Sequence, residues 1–332
     1  MEEKLKIGCI NVGGHMFSKK GEKWSEIKRI VIEDDPDILF LQETELQDHD
    51  AKNPPIISNF ITISPKKITP KTRILCLIKE SIPHEVRSDL MENECSSIWI
   101  ETKSELGRQS LIGSYYREWD DLNRDEGNTN ASQRNTEKTK ERFEKFLTQL
   151  KKACSERNKS ITFVGDLNLD RNKWSEQGWK WKQLSDRLQN EALEMELKLP
   201  NYGMTRRRED KNGKISQSAL DVAGTNFKDH KFEISKSNWY SWTDHCAIFI
   251  TLKFGMTRIK KDEYFFARNL AKIRNNQKAF KHLLSLIDWG QLAMMEDVNE
   301  CVCFYTERVN EVIEFMAPLG KKGAKKTKGK IT

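Results

Sequence analysis

Short apolar runs alternate with polar loops over 5–254, the rhythm of strands rather than of long helices. Strands are expected over 5–12, 37–42, 57–63, 73–78, 97–101, 110–116, 161–165, 231–234 and 247–252. Two stretches keep a helical period instead. Over 22–33, Trp24, Ile27, Ile30 and Val31 fall on one face, and Asp34-Asp35-Pro36 closes that helix. Over 137–153, Phe143, Phe146, Leu147 and Leu150 do the same, after a polar stretch over 120–136 that has no apolar period and reads as a surface loop. Many strands, few helices and no regular βαβ alternation point to an α/β sandwich with two packed sheets and helices outside them.

The pattern changes near Gly255. Over 264–315 the chain reads as helical, with Trp289, Leu292, Val298, Val302, Val309 and Ile313 as candidate core contacts. A boundary is expected near 254–262, giving a first domain over 1–254, a helical region over 255–318 and a basic, disordered tail over 319–332.

Composition narrows the classes. The 332 residues suit one large domain or two ordinary ones, at about 100–200 residues each. No apolar stretch approaches the roughly 18–20 residues of a membrane helix, and Met1-Glu2-Glu3-Lys4 lacks the layout of a secretion signal. The net charge of +7 suggests an anionic partner, yet Lys321, Lys322, Lys325, Lys326, Lys328 and Lys330 account for nearly all of it. A basic surface on the body must therefore come from the distribution of charge. The seven cysteines are scattered without a C-x-x-C pair, which fits a reducing, intracellular setting better than a disulfide framework or a zinc finger. The lysine run reads as a nuclear address or a DNA anchor, so an intracellular, nuclear location is expected.

Five polar islands stand at strand ends, where catalytic groups are commonly displayed. They are Asn11; Gln42-Glu43; Gly165-Asp166-Leu167-Asn168; Ser218-Ala219-Leu220-Asp221; and Thr243-Asp244-His245. Taken singly, each has an ordinary explanation as a cap, turn former or structural pair. Their order along the chain is more specific. The stretches KIGCINVGGH, DILFLQET, SLIGSYYREW, TFVGDLNLD, SQSALDVAGTN and SWTDHCAIFI make the chain similar to the endonuclease/exonuclease/phosphatase superfamily, and within it to the apurinic/apyrimidinic-endonuclease-like nuclease domain of non-LTR retrotransposons.

That resemblance implies a four-layered α/β sandwich with the site at one edge of two packed β-sheets. It implies Glu43 as the main carboxylate ligand of a Mg²⁺, with Mn²⁺ as a substitute, and Asn11 in support of the metal or the phosphate. Asp166 would orient and deprotonate the attacking water beside Asn168. His245, held by Asp244, would donate to the phosphate as negative charge develops. Asp221 would be a partner of the metal or of the histidine, and Tyr116 would reach the phosphate or leaving oxygen. Departures are Ile10 where the family usually has Trp, Gly13 where some relatives carry an acid, Thr243 for Ser, and Glu118-Trp119 where a proline pair commonly follows the tyrosine. The last predicts a less rigid loop after Tyr116.

Arg206-Arg207-Arg208, with Lys211 and Lys214 in a loop-like stretch, together with Arg117 and Trp242, are the candidate nucleic-acid contacts. The region after Gly255 is similar to the segment joining such a nuclease to a reverse transcriptase, and no polymerase motif follows in this sequence. The expectation is a metal-dependent phosphodiesterase, a DNA-nicking endonuclease of retrotransposon type. DNA and the reverse transcriptase of a parent polyprotein are the expected partners, and no membrane is. The alternatives are another phosphodiesterase or phosphatase of the superfamily, and a catalytically dead DNA-binding remnant.

Overall fold

The structure, a computed structural model, describes residues 4–14, 22–47, 56–65, 72–92, 95–103, 109–118, 131–156, 158–253, 264–268, 271–295 and 297–323. The chain divides into two compact units, Met1–Ile259 and Lys260–Thr332. In the first unit each expected strand forms. They are β1 (Lys4–Asn11), β2 (Ile38–Leu46), β3 (Phe60–Ile63), β4 (Thr72–Lys79), β5 (His84–Val86), β6 (Ser97–Lys103), β7 (Gln109–Tyr115), β8 (Lys159–Asp166), β9 (Arg206–Glu209), β10 (Ile215–Ser218), β11 (Asp221–Thr225), β12 (Phe232–Lys236) and β13 (Ile248–Lys253). β5, β9, β10 and β11 are additions to the sequence expectation.

Two mixed sheets result. One runs β12-β13-β1-β2-β4-β3 and the other β11-β8-β7-β6-β5. Each contains a single parallel pair, β1 with β2 and β7 with β8. The continuous apolar runs in β1, β2 and β4 follow from burial on both faces. Ile38 and Phe40 point into the core between the sheets, whereas Leu39 and Leu41 point the other way, under helix α1 (Glu22–Glu33) and its Ile27, Ile30 and Val31. Successive residues of a strand face opposite sides, and each fully buried Ile or Leu contributes roughly 1.5–3 kcal/mol.

On the second sheet, helix α2 (Ala131–Ser155) seats Phe143, Phe146, Leu147 and Leu150 in the core between layers. This helix starts six residues earlier than the apolar period suggested, so 131–136 is helical rather than loop; 120–130 lies outside the described residues. A further helix, α3 (Lys182–Glu194), was hidden by its polar composition and is held by buried Leu184, Leu188 and Ala192. Helices outside two packed sheets make the expected four-layered sandwich.

The second unit contains helices α4 (Ala271–Asn275), α5 (Gln277–Ser285) and α6 (Val298–Met316). Trp289 sits 5.6 Å from Tyr305 between ring centroids. Three sequence expectations change here. Val298 and Val302 stand exposed rather than in a core. Residues 264–268, expected to be helical, form strand β14 (Tyr264–Arg268). It pairs antiparallel with β15 (Leu319–Gly323), so the first residues of the basic tail are a strand. The boundary region and the last four tail lysines fall outside the described residues. Among the described residues no helix is long and apolar enough to cross a membrane.

Candidate active site

Strand order brings the polar islands to one rim. β1 ends at Asn11, whose register partner on β2 is Gln42. Immediately after Gln42 the β2–β4 ladder loses register, and Glu43 takes φ 54°, a left-handed conformation rare for a non-glycine residue. That bulge points Glu43 into the cleft. On the other sheet β8 ends at Asp166, directly opposite Asp221 at the start of β11. The last β8 residue before it is Gly165, where a Cβ would lie 2.0 Å from the Tyr115 carbonyl oxygen. The absence of a side chain at Gly165 lets β8 lie this close to the end of β7.

Gln42 joins the sheets. It is fully buried, donates from Nε2 to Ser114 Oγ (3.1 Å) and the Tyr115 carbonyl (3.0 Å), and accepts through Oε1 from the Asp166 backbone N–H (2.8 Å). A rigid polar bridge thus fixes the end of β8 relative to the Glu43 bulge.

Asp166 lies at the centre, 1% exposed. Its Oδ2 accepts from Asn11 Nδ2 at 2.9 Å, and its Oδ1 from the Asn168 backbone N–H at 2.8 Å. The same Asn11 amide donates to Glu43 Oε2 at 2.8 Å, spacing the two carboxylates apart. Burial, reinforced by the nearby Asp221 charge, raises the Asp166 carboxyl to about 6, against the opposing pull of His245. His245 is 3% exposed, with Nδ1 3.0 Å from Asp221 Oδ2 and Nε2 3.8 Å from both Asp166 Oδ2 and Asp244 Oδ1. Burial alone would push the imidazole down, but Asp221, by charge and hydrogen bond, and then Asp166 and Asp244 hold it up to about 9. At neutral pH the imidazolium therefore lies between anionic groups.

Asp166, Asn168, His245, Asp244, Tyr116, Glu43 and Asn11 all line one cleft of about 820 Å³, with Arg206 and Arg208 on its wall. Asp221 lies behind His245. The expected orientation of the histidine by Asp244 is corrected: Asp221 makes the Nδ1 bond, while Asp244 pairs with Arg206 Nε at 2.8 Å. The arginine run is a β-hairpin strand rather than a loop, pairing with β10, and Arg207 lies off the cleft because alternate residues of a strand face opposite ways. Trp242 also leaves the site. It packs on the apolar cluster beneath α1, with its indole N–H buried and without a hydrogen-bond partner.

Arg117 is buried rather than a surface contact, and burial lowers its guanidinium to about 10. Its Nε donates to the Leu167 carbonyl, its Nη2 to the Asn168 carbonyl at 2.7 Å, and it stacks 4.5 Å over Trp181. Asn168 Nδ2 returns a 2.7 Å bond to the Arg117 carbonyl. The loop carrying Tyr116 is thus fixed without proline. Glu118 adds to this by accepting from Ser96 Oγ (2.7 Å) and Arg142 (2.7 Å) and pairing with Arg73 at 3.4 Å. These bonds hold Arg117 and Glu118; the rest of the loop expected to be less rigid, 119–130, lies outside the described residues. Tyr116 is 5% exposed and its phenol is raised well above the ordinary range by burial.

Sequence reasoning missed Lys173, Trp179, Lys180 and Trp181, which line the cleft from the segment after Asp170. The cluster of tryptophans and lysines over 173–181 was the available signal. It also missed Lys23, whose Nζ donates to the carbonyls of Val12 (2.8 Å), Gly13 (3.1 Å) and Gly14 (2.7 Å), and Gly13 itself needs its φ of 65°.

Two donor sets can be weighed for a divalent cation. Glu43, half-buried and facing the cleft beside Asn11, offers the hard oxygen that Mg²⁺ or Mn²⁺ prefers. Asn11 turns its amide nitrogen, not its oxygen, to Glu43, so it supports that carboxylate. Asp166, Asp221 and His245 also place ligand atoms within 4.8 Å of one another, and Asp221 Oδ1 is buried without a partner. In that second set the His245 Nδ1 is already bonded to Asp221 Oδ2 at 3.0 Å, and Asp166 accepts from Asn11 and the Asn168 N–H. The donor chemistry fits a cation at Glu43.

A two-sheet sandwich of this layout is also found in a solved nuclease domain. The endonuclease domain of TRAS1, a telomere-specific non-LTR retrotransposon, superposes with a TM-score of 0.53 at 15% identity, covering 75% of this chain and 98% of that one. Residues 114–249 match the family model described as Endonuclease-reverse transcriptase, a stretch that holds Asp166, Asp221 and His245. TDP2 from Caenorhabditis elegans (TM-score 0.47, 16% identity, 75% of this chain and 74% of that one) and an endonuclease/exonuclease/phosphatase family protein from Bacteroides thetaiotaomicron (0.45, 13%, 75% and 95%) are also similar in structure. No curated protein matches the chain.

Proposed function

We propose that the chain is a metal-dependent phosphodiesterase that nicks DNA, in the manner its resemblance to retrotransposon nucleases implies. One observation supports this above the others: the Asp166 carboxylate is buried at the floor of the cleft, fixed by Asn11 and the Asn168 N–H, with the His245 imidazolium beside it. An acid raised to about 6 is a competent base near neutral pH. Asp166 would take the proton of a water as its oxygen attacks phosphorus and the bond to the leaving oxygen breaks. The Nε2–H of His245, its Nδ1 engaged with Asp221, would donate to a non-bridging phosphate oxygen as charge gathers there. Asn168, at φ 49°, and Tyr116 would hold the phosphate between these groups. Glu43 would hold the Mg²⁺ or Mn²⁺, which when bound would neutralise charge on the phosphate. In the same reading the second unit corresponds to the segment leading toward a reverse transcriptase, and the protein works in the nucleus.

The test is conversion of supercoiled plasmid to the open-circular form. Nicking is expected with added Mg²⁺ or Mn²⁺, to stop with a chelator, and to fall by about 10²–10⁴-fold in Asp166→Ala and in His245→Ala. Undiminished nicking by both variants would place the activity elsewhere.

A further inference from the structure

The walls of the cleft differ from its floor in a way that bears on which nucleic acid enters. At the floor, Asn11, Asp166 and His245 are no more than 3% exposed. One wall is the β9–β10 hairpin, bringing Arg206 and Arg208. The other is the segment after the turn Arg171–Lys173, anchored by buried Trp174, whose Nε1 donates to the Leu169 carbonyl at 3.1 Å. It brings Lys173, Trp179 and Lys180 to the cleft.

A phosphate must descend between these walls to reach Asp166. In an intact duplex each base is already paired and stacked on its neighbours, so it has no free face to offer the walls. A strand that has left its partner presents unstacked bases, which then need a surface. Trp181 is already engaged, with Arg117 and Lys180 at 4.5 and 4.8 Å from its ring. Trp179 packs one part of its indole on the core and leaves the rest to the cleft, between two exposed lysines. Aromatic faces stack any base, and lysines beside them track the phosphates.

We propose that Trp179 is a stacking platform for an unpaired nucleobase next to the scissile phosphate, so that the site takes single-stranded or locally unpaired nucleic acid ahead of intact duplex. This rests on the phosphodiesterase reading for its scissile bond, but its test does not require turnover.

With chelator present, binding of the full chain to a fluorescent oligothymidylate and to a duplex of equal length is measured by anisotropy. The single strand is expected to bind more tightly. Trp179→Ala should weaken that binding by about 5- to 100-fold, the size of one base stack, with little change for duplex. Trp179→Phe should restore most of it, which separates stacking from a loss of fold. Lys180→Ala should lower the salt dependence of binding to both probes. Tighter duplex binding, or equal loss on both probes in Trp179→Ala with a folded Trp179→Phe that behaves the same way, overturns the proposal. If instead the preference holds but no metal supports cleavage, the phosphodiesterase reading fails and the platform stands.

Discussion

Removing the carboxamide of Gln42 would leave the Asp166 N–H, the Ser114 hydroxyl and the Tyr115 carbonyl without their buried partner. Each buried polar group left unpaired costs about 1–3 kcal/mol. Gln42→Ala should therefore lower the unfolding free energy by at least one such increment, read as a lower urea midpoint with the m-value unchanged, and reduce turnover because Asp166 loses its backbone anchor. An unchanged midpoint would show that water replaces the side chain. At this scale the sequence exposed the chemically distinctive residues and concealed their pairings. Asp166, Asn168, Glu43 and His245 stood out as polar groups at the ends of apolar strands and do meet in one cleft. The partner of the histidine was misassigned to its neighbour Asp244 because adjacency along a chain says little about which side chains meet. Asp221 reaches His245 only through the pairing of β11 with β8. Arg117, charged and next to Tyr116, looked like a ligand contact, and only the fold reveals that it braces the Asp166–Asn168 turn from inside.

Elements were legible wherever burial imposed a period. The strands of the two cores and α1 follow from alternation and from the 3.6-residue stripe. Of those missed, β9, β10 and α3 are mostly polar along their length, and their formation depends on tertiary partners, while β5 and β11 are too short to show a period. Close approach between elements was equally invisible. Gly165→Ala places a methyl group 2.0 Å from the Tyr115 oxygen, so β7 and β8 must separate at the rim. Overpacking of this kind costs at least about 1–3 kcal/mol. The expected result is a depressed Tm and a larger loss of nicking than of stability, since the displaced end of β8 carries Asp166. A variant with wild-type Tm and activity would show that the strands separate without cost.

At the level of the whole molecule, the site gathers opposing charges whose protonation should govern the rate. Asp166 must be deprotonated to act as a base, so activity should rise as pH passes through about 6. His245 must keep its proton to donate, so activity should fall as pH passes through about 9. In His245→Gln the residual rate should lose its alkaline limb and retain the acidic one; persistence of the alkaline limb would assign it to another group. The sandwich architecture was readable from the sequence because strand content and the lack of βαβ alternation leave few other layer arrangements. The organisation of the second unit was less so, since its helices leave Val298, Val302 and Phe315 exposed and its terminal strand is built from Leu319-Gly320-Lys321-Lys322-Gly323.

The bond from Thr243 Oγ1 to the Asn11 carbonyl spans 232 positions of the chain, and that from Asn11 to Asp166 spans 155. Contacts this remote in sequence form late, because long loops must close first. During synthesis, at about 5–20 residues per second, the ribosome must release His245 before the cleft can be assembled at all. The rim of the cleft can therefore close only when nearly all of the first unit has emerged.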